Sequence, residues 1–313
     1  MRKLFLILIL SFLTLWADGR DIKVLYWNIQ NGMWSDQGNN YDNFVDYVNS
    51  LSPDICVWCE AESRYRTDTC DKMAGCEEAY LPWNWDLLAR RYGHEYVLVC
   101  GKHDTFPQVI TSRYPIRIVR RINGNGADID VVHGAGWAVV DTGRGELNIV
   151  TLHTWPQKYA YLAEDRKASA ARKEGDEFRA REMKYICENS IGTVAGADRQ
   201  LWMMLGDFNA ISRSDNHKYG LKEDDKAFLT HDYIAASTPS VDLIGSLYGK
   251  EFQKTTLSGR RIDFVYVTPP LARRVKSAAV LYDGFAESSR DPRNLHGFCN
   301  PSDHYPILVE IKM

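Results

Sequence analysis

Apolar runs of strand length recur along the chain, and several of them stop on a polar residue. "IKVLYWN" ends at Asn28, "PDICVWCE" at Glu60 and "LNIVTLH" at His153. "LWMMLGDFN" ends on Asp207 and Asn209, and "YPILVEI" begins just after Ser302, Asp303 and His304. The runs are apolar at nearly every position, as strands covered on both faces should be. Helix-like segments lie between them. "NFVDYVNSL" sets Phe44, Val45, Val48 and Leu51 at helical spacing, and Ser52 with Pro53 closes it. The stretch 161–191 carries charge of both signs and an apolar stripe of Phe178, Met183, Ile186 and Cys187. It reads as a helix with a solvated face. "NGNGADID" reads as a loop. This pattern predicts an α/β fold with two packed sheets and helices outside.

The polar strand ends need a reason. A Gly-Asp-x-Asn corner can be a plain turn, because Asp and Asn bond to their own backbone there. Repetition argues against that reading for all of them. If the ends lie on one rim, Asn28, Glu60, His153, Asp207, Asn209, Asp303 and His304 can converge on a metal ion or a phosphate.

Composition changes the picture at the N-terminus. The chain has 313 residues, 45% hydrophobic and 25% charged, an ordinary globular balance. Arg2 and Lys3 precede an apolar stretch from Leu4 to Trp16, too short to span a bilayer and of the length of a signal-peptide core. Residues 1–17 are therefore expected to be a signal peptide and 18–313 one domain, exported to a periplasmic or extracellular location. No Cys follows the apolar stretch to carry a lipid anchor, and no later run is long enough to cross a membrane. Losing Arg2 and Lys3 takes the formal charge from −3 to −5. Such a chain lacks the global positive field of many nucleic-acid binders, although Arg260 with Arg261 leaves room for a local basic groove. The cluster Arg113, Arg117, Arg120 and Arg121 reads as solvated surface. Of seven cysteines, Cys70 and Cys76 flank a polar loop and are expected to pair. Cys56 and Cys59 sit three apart on a strand, point to opposite faces and read as packing. An odd total leaves at least one thiol outside any intrachain pair.

Taken in order and at these spacings, "WNIQNG", "PDICVWCE", "SRYPI", "VTLH", "GDFNA", "GRRIDFVYV" and "SDHYPI" resemble the endonuclease/exonuclease/phosphatase superfamily of DNase I-like proteins. The resemblance spans nearly all of residues 18–313. It implies a four-layered α/β sandwich of two mixed β-sheets flanked by helices. It also implies phosphoester hydrolysis with a divalent metal, Mg²⁺ first and Mn²⁺ or Ca²⁺ as alternatives. Carried over, it makes Glu60 the principal metal ligand, with Asn28 beside it and Asp303 at or near the metal. Asp207 orients or deprotonates the attacking water, and Asn209 holds a phosphate oxygen. His304 contacts the phosphate and is oriented by Asp263. His153 stabilises charge or assists the leaving group.

The residue chemistry agrees with these roles. Mg²⁺ is hard and takes oxygen ligands, often one or two carboxylates with waters. Phosphoryl transfer needs a held water, neutralised oxygens and help for the leaving group, which a metal, an acid and two histidines supply. Asp263 shares a strand face with Val265 and Val267, so its carboxylate needs a partner. His304 is one candidate, and Arg260 or Arg261 is the other. His103, His133 and His231 read as structural or substrate-side. Trp34, Trp83, Trp85 and Trp155 could line a groove, although packing explains Trp83 and Trp85 equally well.

The sequence departs from the family pattern at Cys59, where Gln is common, at "TLHT", and in "FRAREMKY", where Glu182 or a neighbour stands in the place of a common Gln. These departures leave the subfamily unassigned. The long segment after His153 is expected to shape access to the site. The expected substrate is a phosphoester of a nucleic acid, a lipid headgroup or a phosphorylated sugar, with diester cleavage favoured over a sugar- or inositol-phosphate monoester. A non-catalytic binding module on the same fold is the alternative outside enzymology. A monomer is expected.

Overall fold

The computed structural model describes residues 21–61, 85–102, 106–286 and 301–313. The 1–17 segment, Cys70, Cys76, Cys299, Trp83 and His103 lie outside the described residues.

Two six-stranded sheets carry the fold. The first runs in the order β11-β12-β1-β2-β4-β3. Its strands are β1 (Asp21–Asn28), β2 (Ile55–Cys59), β3 (Tyr96–Cys100), β4 (Gln108–Ser112), β11 (Val275–Val280) and β12 (Ile307–Lys312). The second runs β5-β6-β7-β8-β10-β9. It contains β5 (Ile116–Gly124), β6 (Asp130–Asp141), β7 (Glu146–His153), β8 (Trp202–Asp207), β9 (Val241–Asp242) and β10 (Asp263–Val267). Both sheets are mixed: β1/β2 and β7/β8 are parallel, while β1/β12 and β8/β10 are antiparallel.

Period-two alternation sorts the side chains. Ile22, Val24 and Tyr26 of β1, Met203 and Leu205 of β8, and Val265 and Val267 of β10 meet in the core between the sheets. Leu25, Trp27, Cys56 and Trp58 face outward and are covered by α1 (Asp42–Leu51) and α2 (Trp85–Arg91). On the far side lie α3 (Arg166–Ala171), α4 (Glu174–Glu188) and α5 (Leu229–Ser237). Met183, Ile186 and Cys187 of α4 and Ile234 of α5 pack on Val150, Trp202, Met204 and Phe264. The result is the expected four-layered sandwich. Cys56 joins the outer cluster and Cys59 the inter-sheet core, so the two thiols diverge. Cys56, Cys59, Cys100 and Cys187 are all free.

The charged segment 161–191 folds as α3 and α4, but its face is not wholly solvated. Arg179 and Glu182 are buried, while Glu177, Arg181, Lys184 and Glu188 are exposed. The arginine cluster is surface: Arg113 pairs with Asp54, and Arg117 with Glu146. No described helix is long and apolar enough to cross a membrane.

Candidate functional site

The alternation that builds the core also delivers the polar strand ends. Asn28 continues the inner face of Tyr26, His153 that of Ile149, Asp207 that of Leu205, and Asp263 that of Val265. The registers place Asp207 opposite both His153 and Asp263. Gly206 makes the close pairing to β7 possible. A Cβ there would sit 2.1 Å from the Leu152 carbonyl oxygen.

Asp207 is the hub. Its Oδ1 accepts the backbone N–H of Asn209 at 2.8 Å. Its Oδ2 accepts from Asn28 Nδ2 at 3.2 Å, and lies 3.7 Å from His153 Nε2 and 3.8 Å from His304 Nε2. The Asn28 amide also donates to Glu60 Oε1 at 3.2 Å, so it bridges two carboxylates. Its own Oδ1 accepts the Gln30 N–H. Glu60 Oε2 accepts the Asn31 N–H at 3.2 Å. Glu60 and Asn209 both have left-handed backbone, with φ of 54° and 47°, a conformation that non-glycine residues rarely adopt and that recurs at functional sites.

Asp263 does pair with His304. Its Oδ2 lies 2.7 Å from His304 Nδ1, and its Oδ1 accepts the Tyr26 hydroxyl at 2.6 Å. The arginine alternative is excluded by geometry. Arg261 is buried and donates to Asp215 and Asp242, while Arg260 lines the cleft. Asn209 Nδ2 donates to the Thr154 carbonyl, which leaves one amide hydrogen for another acceptor. Asp303 stands at the rim, 54% exposed, with one oxygen 3.8 Å from His304 Nε2.

Charges follow from burial and proximity. Burial pushes Glu60 and Asp207 up from the usual carboxylate range; Asp263 adds to the effect on Asp207, and the His304 charge opposes it in both. Burial works against a charged His304, but Asp263, Asp207 and Asp303 outweigh it and hold the imidazolium well above its ordinary range. His153 is pushed well below that range by burial, with His133 and His304 adding to the effect. One imidazole is thus poised as a cation and the other as a neutral base.

Glu60, His153 and Asp207 can offer ligand atoms within 4.8 Å of one another, as can Asp207, Asp263 and His304. The second set is already spent on the Asp263–His304 bond. In the first, Glu60 and Asp207 set two carboxylates side by side, and Asp303 lines the same cleft; such oxygen donors fit a hard divalent cation at Glu60. All of this opens into a cleft of about 470 Å³ lined by Glu60, His153, Asp207, Asn209, Asp303 and His304.

His133 also lines the cleft, and its ring stacks on His153 with centroids 4.5 Å apart. Local pattern left it structural or substrate-side, because only the pairing of Ala135 with Leu152 brings it beside His153. Trp155 lies over His133 at 6.5 Å. Trp85 is packing: it stacks on Trp58 and bonds to the Ala61 carbonyl. His231 is structural, held between the Tyr266 hydroxyl and the Ala210 carbonyl.

Residues 25–304 match the Endonuclease/Exonuclease/phosphatase family. Among curated proteins no sequence matches the chain. Similar solved structures include an AP endonuclease from Archaeoglobus fulgidus, 16% identical with a TM-score of 0.59, covering 93% of this chain and 100% of that one. A 3′ phosphatase, NExo from Neisseria, bound to a product DNA hairpin, is 16% identical with a TM-score of 0.57 over 93% and 100% of the two chains. An endonuclease/exonuclease/phosphatase family protein from Bacteroides thetaiotaomicron is 16% identical with a TM-score of 0.57 over 94% and 98%.

Proposed function

The chain belongs to the Endonuclease/Exonuclease/phosphatase family, and from that premise we propose that it is an exported, Mg²⁺-dependent phosphodiesterase that cleaves by in-line attack of water. One observation carries the reading: Glu60, Asp207 and the Asp263-held His304 converge from separate strands on one cleft.

Mg²⁺ held by Glu60 and Asp303, with Asn28 beside it, would neutralise charge on the phosphate oxygens. The protein's own groups do the rest. Asp207 Oδ2 accepts a proton from the attacking water, and its Oδ1 stays fixed by the Asn209 N–H. The remaining amide hydrogen of Asn209 meets a phosphate oxygen. His304 Nε2 donates to another, with Asp263 holding the charged ring in place through Nδ1 and Tyr26 fixing Asp263 in turn. His153, neutral and stacked on His133, sits where it can assist the leaving oxygen. Substrate candidates remain a nucleic-acid strand, a lipid headgroup or a phosphorylated sugar. The AP endonuclease and the DNA-bound 3′ phosphatase among the similar folds support the first. Export rests on the basic start and apolar stretch of residues 1–17.

Hydrolysis of bis(p-nitrophenyl) phosphate and of p-nitrophenyl phosphate, each with Mg²⁺ and with EDTA, tests the reading. Metal-dependent cleavage of the diester is expected, with Glu60→Ala and His304→Ala lowering kcat by about a hundredfold or more while melting stays cooperative. Preference for the monoester would make the protein a phosphatase, and full activity in both variants would overturn the site.

A further inference from the structure

The turn 255–260 is a wall with a cavity on each side. Thr256, Leu257, Ser258 and Arg260 face the catalytic cleft. Lys254 and Gly259 instead line a second cavity of about 450 Å³, together with Lys218, Glu251, Phe252, Gln253 and Tyr282. The wall is stiff. Thr255 and Thr256 N–H both bond the Arg260 carbonyl, Gly259 N–H bonds the Thr256 carbonyl, and the Thr256 and Ser258 hydroxyls lie 2.8 Å apart. Its crest is Gly259, with φ of 81°, and a Cβ there would meet open space.

The charges around this crest are unbalanced. Among the described residues, Lys218, Lys254 and Arg260 form no ion pair, and Glu251 is the sole carboxylate lining either cavity outside the catalytic set. The lysines are not loose: Lys254 Nζ stands 5.3 Å from the Tyr305 ring centre and Lys218 Nζ 5.7 Å from that of Phe252. Unpaired cations lining two adjoining cavities offer an anion a place to bind across the wall.

We propose that Lys218, Lys254 and Arg260 form a subsite for a second phosphate group of the substrate, reached over Gly259 from the scissile phosphate. The proposal rests on the phosphoester reading of the cleft and narrows it to substrates with a further phosphate. Two sources share that chemistry, a nucleotide strand and a polyphosphorylated polyol.

The full chain in EDTA, without turnover, is titrated with a short fluorescein-labelled oligothymidylate and, separately, with inositol hexakisphosphate. The expected result is binding of at least one probe, weakened about tenfold in Lys218→Met/Lys254→Met, with the strand's log-log salt slope reduced by about 1.4 for two lost contacts. Single variants are expected to fall between, and Lys254→Arg to retain binding. Which probe responds identifies the source. Failure of the wild type to bind either probe, or wild-type binding by the folded double variant, would overturn the subsite. Failure of the cleft reading would show separately, as absent hydrolysis of bis(p-nitrophenyl) phosphate, a diester with no second phosphate.

Discussion

Burial and neighbouring charge act on His304 in opposite directions. Its burial favours the neutral ring, yet Asp263, Asp207 and Asp303 raise its affinity for a proton. Asp263 touches it and is itself anchored by Tyr26 from the opposite sheet. Asp263→Asn removes that charge and weakens the hold on the ring's orientation together. The imidazolium should then deprotonate at lower pH, so the alkaline limb of the kcat/KM profile should move down in pH. kcat should fall by about a hundredfold or more, with KM changed far less. A pH–rate profile of the variant checks this, and an unmoved alkaline limb would mean that His304 does not work as the charged group. This pair was half visible in the sequence. A carboxylate in "RRIDFVYV" beside buried valines demanded a partner, but local pattern could not choose between His304 and the adjacent arginines. The choice is made by Asp215 and Asp242, which occupy Arg261 from positions distant in the sequence.

At the scale of elements, strand ends were legible and cross-strand neighbours were not. The sequence placed Asn28, His153 and Asp207 at strand ends and Asp263 on a face with Val265 and Val267; alternation in the structure puts all four on inner faces. His133 read as structural or substrate-side, and its stacking on His153 was not legible because it depends on the β6–β7 register. The role of α4 was also hidden, because its mixed charges looked like a solvated face. One turn of it grips the exit of β7. Glu182 accepts the Trp155 N–H at 2.8 Å with one oxygen and the Val132 N–H at 2.9 Å with the other, while Arg179 donates to the Trp155 and Gln157 carbonyls. Glu182 is thus a positioning residue for the backbone that carries His133 and His153. Burial pushes its carboxyl up to about 8, against the two backbone donors. A raised carboxyl pKa means that the unfolded chain loses its proton first. The Glu182 contribution is therefore complete below about 4.5, the unfolded value, and is lost as pH rises toward 8. Glu182→Gln cannot titrate and can offer only one acceptor. Urea denaturation should show it less stable than wild type near pH 5, with the gap narrowing as pH rises to 8. A gap independent of pH would place the Glu182 carboxyl outside the titration of the fold.

The whole molecule resolves a conflict between stability and charge. The sandwich gathers Glu60, Asp207, Asp263 and Asp303 at one end, against a single strongly held imidazolium at His304. Two of these carboxylates are pushed toward protonation by burial, so the end of the sandwich is strained electrostatically when no cation is present. The strands that hold these groups are also the strands of the inter-sheet core, so relief at the site should be felt by the whole fold. A ligand that binds only the native state stabilises it by about 2.7 kcal/mol at a hundred times its Kd. Melting of the full chain in EDTA and in rising Mg²⁺ should therefore show a concentration-dependent increase in Tm, with Mn²⁺ acting at lower concentration. Glu60→Gln should raise the Tm in EDTA, because it removes one buried charge, and should abolish most of the rise with Mg²⁺. Asp303→Asn, exposed at the rim, should weaken the rise without moving the EDTA baseline. Because the readout is stability, the result does not depend on which phosphoester is the substrate. A Tm indifferent to divalent cations, together with an unchanged baseline in Glu60→Gln, would mean that the acidic end of the sandwich is balanced by the protein itself.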